Sequence, residues 1–257
     1  MLELRSITKV YNPGTVTEQT LFRDFSLTVE EGQFVSIVDS NGSGKTSLLN
    51  IICGSIPVEA GEVLMDGKNI NKLKEYQRYA AMGRVYQNPA AGTCPGLTML
   101  ENLSLADNKG KAFGLSRGIN RQRRDFYRQQ LQSLGLGLED KLDVKMGALS
   151  GGQRQAVALL MATMTPLKFL ILDEHTAALD PKTAEIIMEL TDKVVREKKL
   201  TAMMVTHNLR YAVEYGDRLI MMNQGQVVLD QAGPEKAATS IDDILGVFNQ
   251  ISIECGN

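Results

Sequence analysis

Alternation of apolar and polar residues is clearest near the start of the chain. "LELRSI" and "FSLTVEEGQF" place apolar side chains at every second position, which predicts antiparallel strands joined by the loop "YNPGTVTEQT". "FVSIV" is mostly apolar, as suits a parallel strand covered on both faces. A glycine-rich loop follows, then an apolar helix, "KTSLLNIIC", stopped by Gly54 and Pro57. Further buried strands are expected at "GRVYQ", "FLILD", "TAMMVTH" and "RLIMMN". Between the second and third of these the pattern changes to a helical one after Pro181, with Ile186, Leu190 and Val194 on one face. The turn "NQGQ" predicts a closing hairpin. Alternation of strand and helix in this order indicates a mostly parallel α/β sheet.

The stretch 89–165 differs. It has no convincing strand, several glycines and two helical segments, "TMLENLSLA" and "RQRRDFYRQQLQSL", and reads as a helical subdomain inserted into the α/β core. The tail "IDDILGVFNQI" carries apolar residues at 241, 244, 245, 248 and 251, a docking helix.

Composition narrows the class without naming a function. A chain of 257 residues is one large domain or two smaller ones. The net charge of −2 gives no reason to expect nucleic acid as a partner. No apolar run approaches the roughly 18 residues that cross a bilayer, and the first residues lack the layout of a signal peptide. Cys53, Cys94 and Cys255 are sparse and far apart, which points to a reducing compartment with no disulfide framework. A cytosolic protein is expected.

The chemistry is concentrated in short motifs. "IVDSNGSGKTS" follows a strand and opens a helix, the context of a phosphate-binding loop, G-x-x-x-x-G-K-[ST]. Gly42 and Gly44 let backbone N–H groups approach phosphates, Lys45 supplies a mobile cation, and Thr46 a hydroxyl for Mg²⁺. Asp39 stands where the first glycine of the pattern belongs. Its carboxylate repels phosphate, so the loop is expected to form but to bind more weakly, with Asp39 paired to Lys45 until nucleotide breaks the contact. Aspartate also tolerates positive φ, so the loop need not collapse. "FLILDE" ends a buried strand in two acids, Asp173 to hold Mg²⁺ through water and Glu174 to polarise an attacking water. "LSGGQ" at 149–153 reads first as a capping box, Ser150 with Gln153, for the helix "QAVALLMAT". Capping leaves Gly151 and Gly152 unexplained, and an anion on the helix N-terminus would explain them.

With LSGGQ the chain resembles the ATP-binding subunit of ABC transporters over nearly its whole length. The resemblance implies a P-loop NTPase (RecA-like) fold: one ABC ATPase domain over 1–257, with an α/β core at 1–88 and 166–257, an N-terminal antiparallel part, and a helical subdomain at 89–165. It implies that ATP contacts Ser40, Asn41, Gly42, Ser43, Gly44, Lys45, Thr46 and Ser47. Tyr11 matches the residue that stacks on adenine, with an ordinary turn tyrosine as the alternative. Gln87 in "VYQNP" matches the glutamine that senses Mg²⁺ and couples to the membrane subunit, making Thr46, Gln87 and Asp173 the metal set. Ser150, Gly151, Gly152 and Gln153 match the signature. Asp180 matches a loop that signals between subunits and also suits a helix cap ahead of Pro181. His207 matches the switch histidine at the γ-phosphate; Glu174, His207 and Lys45 form the catalytic set.

The implied assembly is a head-to-tail homodimer with ATP between the phosphate loop of one copy and the LSGGQ helix of the other. Transmembrane permease subunits and an extracellular substrate-binding protein would complete it, with this chain peripheral on the cytoplasmic face. The best fit is a bacterial importer of a small solute such as an amino acid; the alternative is a soluble, non-transport ABC ATPase. Two residues depart from the family pattern. Asp39 has no matching subgroup, which makes it a handicap or an introduced change. His175 in "DEHTAALD" replaces the usual proline; a subgroup of bacterial transporter ATPases serving importers with a lipoprotein binding component is similar there. His175 reads as a subgroup marker, or as an imidazole that tunes Glu174. Segment 109–128 carries seven Lys or Arg against one Asp, either a solvated face or a contact with the membrane subunit or lipid.

Overall fold

The computed structural model describes residues 1–39, 43–111 and 118–254. Ser40, Asn41, Gly42 and Cys255 lie outside the described residues, as does 112–117 within the basic segment. Among the described residues the strands are β1 (Leu2–Tyr11), β2 (Gln19–Val29), β3 (Phe34–Asp39), β4 (Ala60–Met65), β5 (Lys68–Asn69), β6 (Met82–Val85), β7 (Phe169–Asp173), β8 (Ala202–Val205), β9 (Arg218–Asn223) and β10 (Gln226–Ala232). The chain forms two compact units, Met1–Tyr79 with Lys199–Asn257, and Ala80–Lys198.

In the first unit an antiparallel sheet has the order β2-β1-β4-β5. Leu2 faces Val29 on one side and Met65 on the other; the alternate residues Leu2 and Leu4 are buried, and a register shift after Leu4 brings Ile7 into the core next. β4 escapes a reading by alternation because its apolar residues form the run Val63, Leu64, Met65, all buried. In the parallel layer β3 lies between β8 and β9. Phe34 through Val38 are buried, as an almost unbroken apolar run requires when both faces are covered. β10 returns antiparallel to β9 through Gln224 and Gly225, both at positive φ, the expected two-residue hairpin. Helix Lys45–Cys53 leaves the end of β3 and stops at Gly54. The last helix, Ile241–Glu254, buries Ile244 among Val38, Ala212, Leu219 and Met221, with Val247, Phe248 and Ile251 packed beside it. Ile241 and Leu245 remain exposed, so its docking stripe is narrower than the run of apolar residues suggests.

In the second unit β6 and β7 pair in parallel, Met82 opposite Phe169 through Val85 opposite Leu172. Around this pair are helices Met99–Asp107, Arg124–Gln132, Gly151–Thr163 and Pro181–Glu197. Thr98 and Glu101 close a capping box on the first. Four basic residues of the segment have acidic neighbours: Arg123 and Lys111 contact Asp107, Arg124 contacts Asp143, and Arg128 lies near Asp125 and Asp140. One expected face is only partly right: Leu190 is buried and Val194 half-buried, but Ile186 is not. Helix Pro181–Glu197 buries Ala184, Ile187, Met188, Leu190, Thr191 and Val195, while Ile186 is exposed. The buried stripe contains a threonine, which a pattern built on apolar residues passes over.

Candidate functional site

The described flanks of the expected phosphate loop, Asp39 and the residues from Ser43 on, lie in the first unit at the carboxyl end of β3, where open α/β sheets place ligands. Gly44 caps the helix with φ +101°, and a Cβ there would come within 3.1 Å of Leu21 and Phe22. Glycine is therefore required twice, by conformation and by space. Lys45 opens the helix and is buried. Its ammonium pairs with Asp39 and lies 3.3 Å from His207 Nδ1, while Asp39 Oδ1 is 3.6 Å from the same nitrogen. Ser43 Oγ donates to the other oxygen of Asp39. The carboxylate thus gathers Ser43, Lys45 and the switch histidine, three groups the resemblance assigns to phosphate. Asp39 keeps the extended backbone of a strand end, so its tolerance of positive φ is not called upon. Thr46 is exposed, and Ser47 Oγ lies 2.8 Å from the Tyr11 hydroxyl, which ties the end of β1 to the phosphate-loop helix.

A residue the sequence reading missed secures the far end of that helix. Arg78 is buried, and its guanidinium donates to the carbonyls of Ile51 (2.8 Å), Ile52 (2.9 Å), Asn71 (3.2 Å) and Leu73 (3.3 Å). A cation at a helix C-terminus complements the dipole whose positive end faces the loop. Burial lowers the Arg78 pKa from its ordinary value. No local sequence pattern marks it, because its partners are backbone carbonyls.

The second unit carries the acidic strand end. Asp173 ends β7, and Arg84 on neighbouring β6 donates to Asp173 Oδ2 at 2.6 Å. The guanidinium also lies 4.8 Å from the centre of the Tyr86 ring. Glu174 follows with φ +48°, left-handed for a non-glycine residue. His175 is 2% exposed and does not act as a solvent-facing base: its Nε2 is 3.0 Å from Thr191 Oγ1. Burial pushes its pKa down to about 4, so it is neutral at physiological pH. Gln87 is exposed just beyond β6. The buried Gln155 donates to the Tyr86 carbonyl at 3.0 Å and so fastens the segment before Gln87 to the signature helix. Its signal in the sequence is one amide within an otherwise apolar helix.

At the signature, Ser150 and Gln153 form the expected capping box on helix Gly151–Thr163. The two glycines separate in meaning. A Cβ on Gly152 would come 2.2 Å from Thr183 Cγ2, so packing alone demands glycine there. A Cβ on Gly151 would make only an ordinary 3.4 Å contact with Leu179, and packing leaves Gly151 unexplained. Thr183 also donates its N–H to Asp180 Oδ1 at 3.1 Å, so Asp180 caps helix Pro181–Glu197. These bonds hold the Asp180 carboxyl below its usual pKa.

The donors suit the expected ligands. Thr46 hydroxyl and Asp173 carboxylate are hard oxygen donors of the kind Mg²⁺ takes, and Asp173 already attracts a cation in Arg84.

The family model described as ABC transporter matches residues 22–177. The chain is 46% identical to the tyrosine transport ATP-binding protein of Clostridioides difficile (strain R20291), over 96% of this chain and 98% of that one. It is 33% identical to the spermidine/putrescine import ATP-binding protein of Mycoplasma capricolum subsp. capricolum, over 88% of this chain and 60% of that longer one. Among solved structures it is similar to a dimeric ATP-binding cassette in a post-hydrolysis state bound to ADP and phosphate, with TM-score 0.76, 33% identity, and coverage of 90% of this chain and 98% of that one. The chain belongs to the ABC transporter family, as an ATP-hydrolysing, nucleotide-binding subunit that energises transport.

Proposed function

We propose that this chain powers a bacterial importer of a small solute, an amino acid being the class favoured, by hydrolysing ATP as one of two copies in a homodimer. The observation that carries the reading is the 46% identity, nearly end to end, with a tyrosine transport ATP-binding protein. The homodimer rests on similarity to a dimeric cassette. Transmembrane permease subunits would hold the chain at the cytoplasmic face of the membrane, and an extracellular binding protein would deliver the solute.

In this reading Lys45 and the N–H groups opening helix Lys45–Cys53 bind the phosphates. Tyr11 stacks on adenine, and His207 contacts the γ-phosphate. Thr46, Gln87 and Asp173 hold Mg²⁺, which neutralises charge on the phosphates when bound. Glu174 orients and polarises the attacking water, and Ser150 with Gly151 completes the site of the opposite copy. Gly151 is the signature glycine that packing within this chain does not require. Asp180 passes the state of the site between copies while it caps its own helix.

The test is Glu174→Gln. Removing the base lowers turnover by about 10²–10⁴-fold and leaves ATP affinity unchanged by calorimetry. Because ATP closes the dimer and hydrolysis opens it, the variant elutes as a stable dimer at saturating MgATP. Monomer alone under those conditions, or undiminished turnover, contradicts the reading.

A further inference from the structure

Glu174 and His175 open a tight turn whose geometry is unusual on two counts. The Glu174 carbonyl accepts from Ala177 N–H at 2.9 Å, which closes the turn with His175 at its second position. Glu174 itself sits at φ +48°, a conformation unfavourable to a non-glycine residue unless its surroundings enforce it. The next side chain goes inward: His175 is buried, with Nε2 3.0 Å from Thr191 Oγ1 on helix Pro181–Glu197.

The direction of that bond follows from proton counting. Thr191 has one hydroxyl proton, and it goes to the Ile187 carbonyl at 2.7 Å. Its oxygen can therefore only accept from the imidazole, so His175 Nε2 carries the hydrogen. The chain His175 to Thr191 to Ile187 is directional and reaches the interior of a helix that is itself fixed by the Asp180 cap and by Thr183 against Gly152. Thr191 needs no histidine to satisfy its hydroxyl, and an apolar side chain would fill the same buried space. What the imidazole adds is a fixed distance between the residue after Glu174 and that helix.

We propose that His175 is a positioning residue for Glu174: its bond to Thr191 anchors the turn and thereby holds Glu174 in its left-handed conformation at the end of β7. The proposal rests on the reading of Glu174 as the group that polarises water. Cutting the His175–Thr191 bond removes one of the restraints on the turn that follows β7, and a displacement of about 1 Å in a reacting group costs up to roughly 100-fold in rate.

The experiment uses the full-length chain and four substitutions, with kcat from phosphate release and ATP affinity from calorimetry. His175→Phe and Thr191→Val each lower kcat about tenfold to a hundredfold while ATP affinity stays within about twofold, since Lys45 and the phosphate loop are untouched. Thr191→Ser keeps the hydroxyl and retains the parent kcat. The double variant His175→Phe/Thr191→Val loses no more than the worse single one, as expected for two halves of one interaction. Unchanged kcat in both His175→Phe and Thr191→Val overturns the proposal. So does a loss confined to the melting temperature, or a Thr191→Ser variant as impaired as Thr191→Val. If His175→Phe fails to fold, the two Thr191 substitutions decide alone. Glu174→Gln in parallel separates the failures: full turnover there removes the role of Glu174 itself, whereas a dead Glu174→Gln beside an intact His175→Phe removes only the positioning role.

Discussion

β3 and β7 are both buried strands that end in an aspartate, and in both cases a cation of the same unit lies on the carboxylate. At β7, Arg84 sits on Asp173; at β3, Lys45 sits on Asp39. The local chemistry is alike, yet the consequences are opposite. In the proposed reading Asp173 takes a metal ion, and Arg84 neutralises the carboxylate without blocking a more highly charged competitor. In the same reading Asp39 is an extra anion, and it neutralises the lysine proposed to bind the phosphates. On that proposal each carboxylate and its cation are partnered within their own unit until a ligand replaces one of them, Arg84 giving way to a metal ion and Asp39 to a phosphate.

Magnitudes set the direction of each exchange. At an effective dielectric of about 20, two unit charges 4 Å apart interact by about 4 kcal/mol, and at about 8 Å by about 2 kcal/mol. Mg²⁺ carries twice the charge of Arg84, and a triphosphate several times that of Asp39. Both exchanges run toward the ligand, but the Asp39 one runs against a residual repulsion that the Asp173 one lacks.

Three substitutions can break or sharpen this contrast. The largest effect is expected from Asp173→Asn, which removes the metal-facing charge. Turnover falls by about 10²–10³-fold in steady-state phosphate release, and a normal rate would make Asp173 equivalent to a structural acid. Asp39→Gly comes next and goes the other way, with ATP binding tightened by about tenfold. Arg84→Lys gives the smallest change. It keeps the charge but loses the planar fork, so Mn²⁺ followed by electron paramagnetic resonance half-saturates at about two- to threefold lower concentration in the presence of nucleotide. A requirement for more metal would mean that Arg84 assists the ion instead of standing in for it.

Much of this was legible in the sequence, because the informative patterns are local. β3, the phosphate loop and its helix follow one another within 20 residues, and Asp39 is six residues from the lysine it holds. The signature cap is readable from Ser150 and Gln153 alone, and the structure contains it. What could not be read depends on distant partners. Arg84 meets Asp173 across 89 residues, and Gly152 meets Thr183, a contact that explains a glycine otherwise credited to a ligand. Thr191 hides the buried face of its helix because its polarity is satisfied only by Ile187 and His175. The misplaced Ile186 and the unread anchor of His175 are the same omission seen from two sides.

The claim that Asp39 holds Lys45 against the nucleotide is tested most directly by calorimetric titration of ATP into the parent protein and Asp39→Gly at two salt concentrations. The account predicts that the glycine form binds about tenfold more tightly at low ionic strength and that the advantage shrinks at high ionic strength, where charge repulsion is screened. Weaker binding by Asp39→Gly would contradict it and make Asp39 a working part of the nucleotide site.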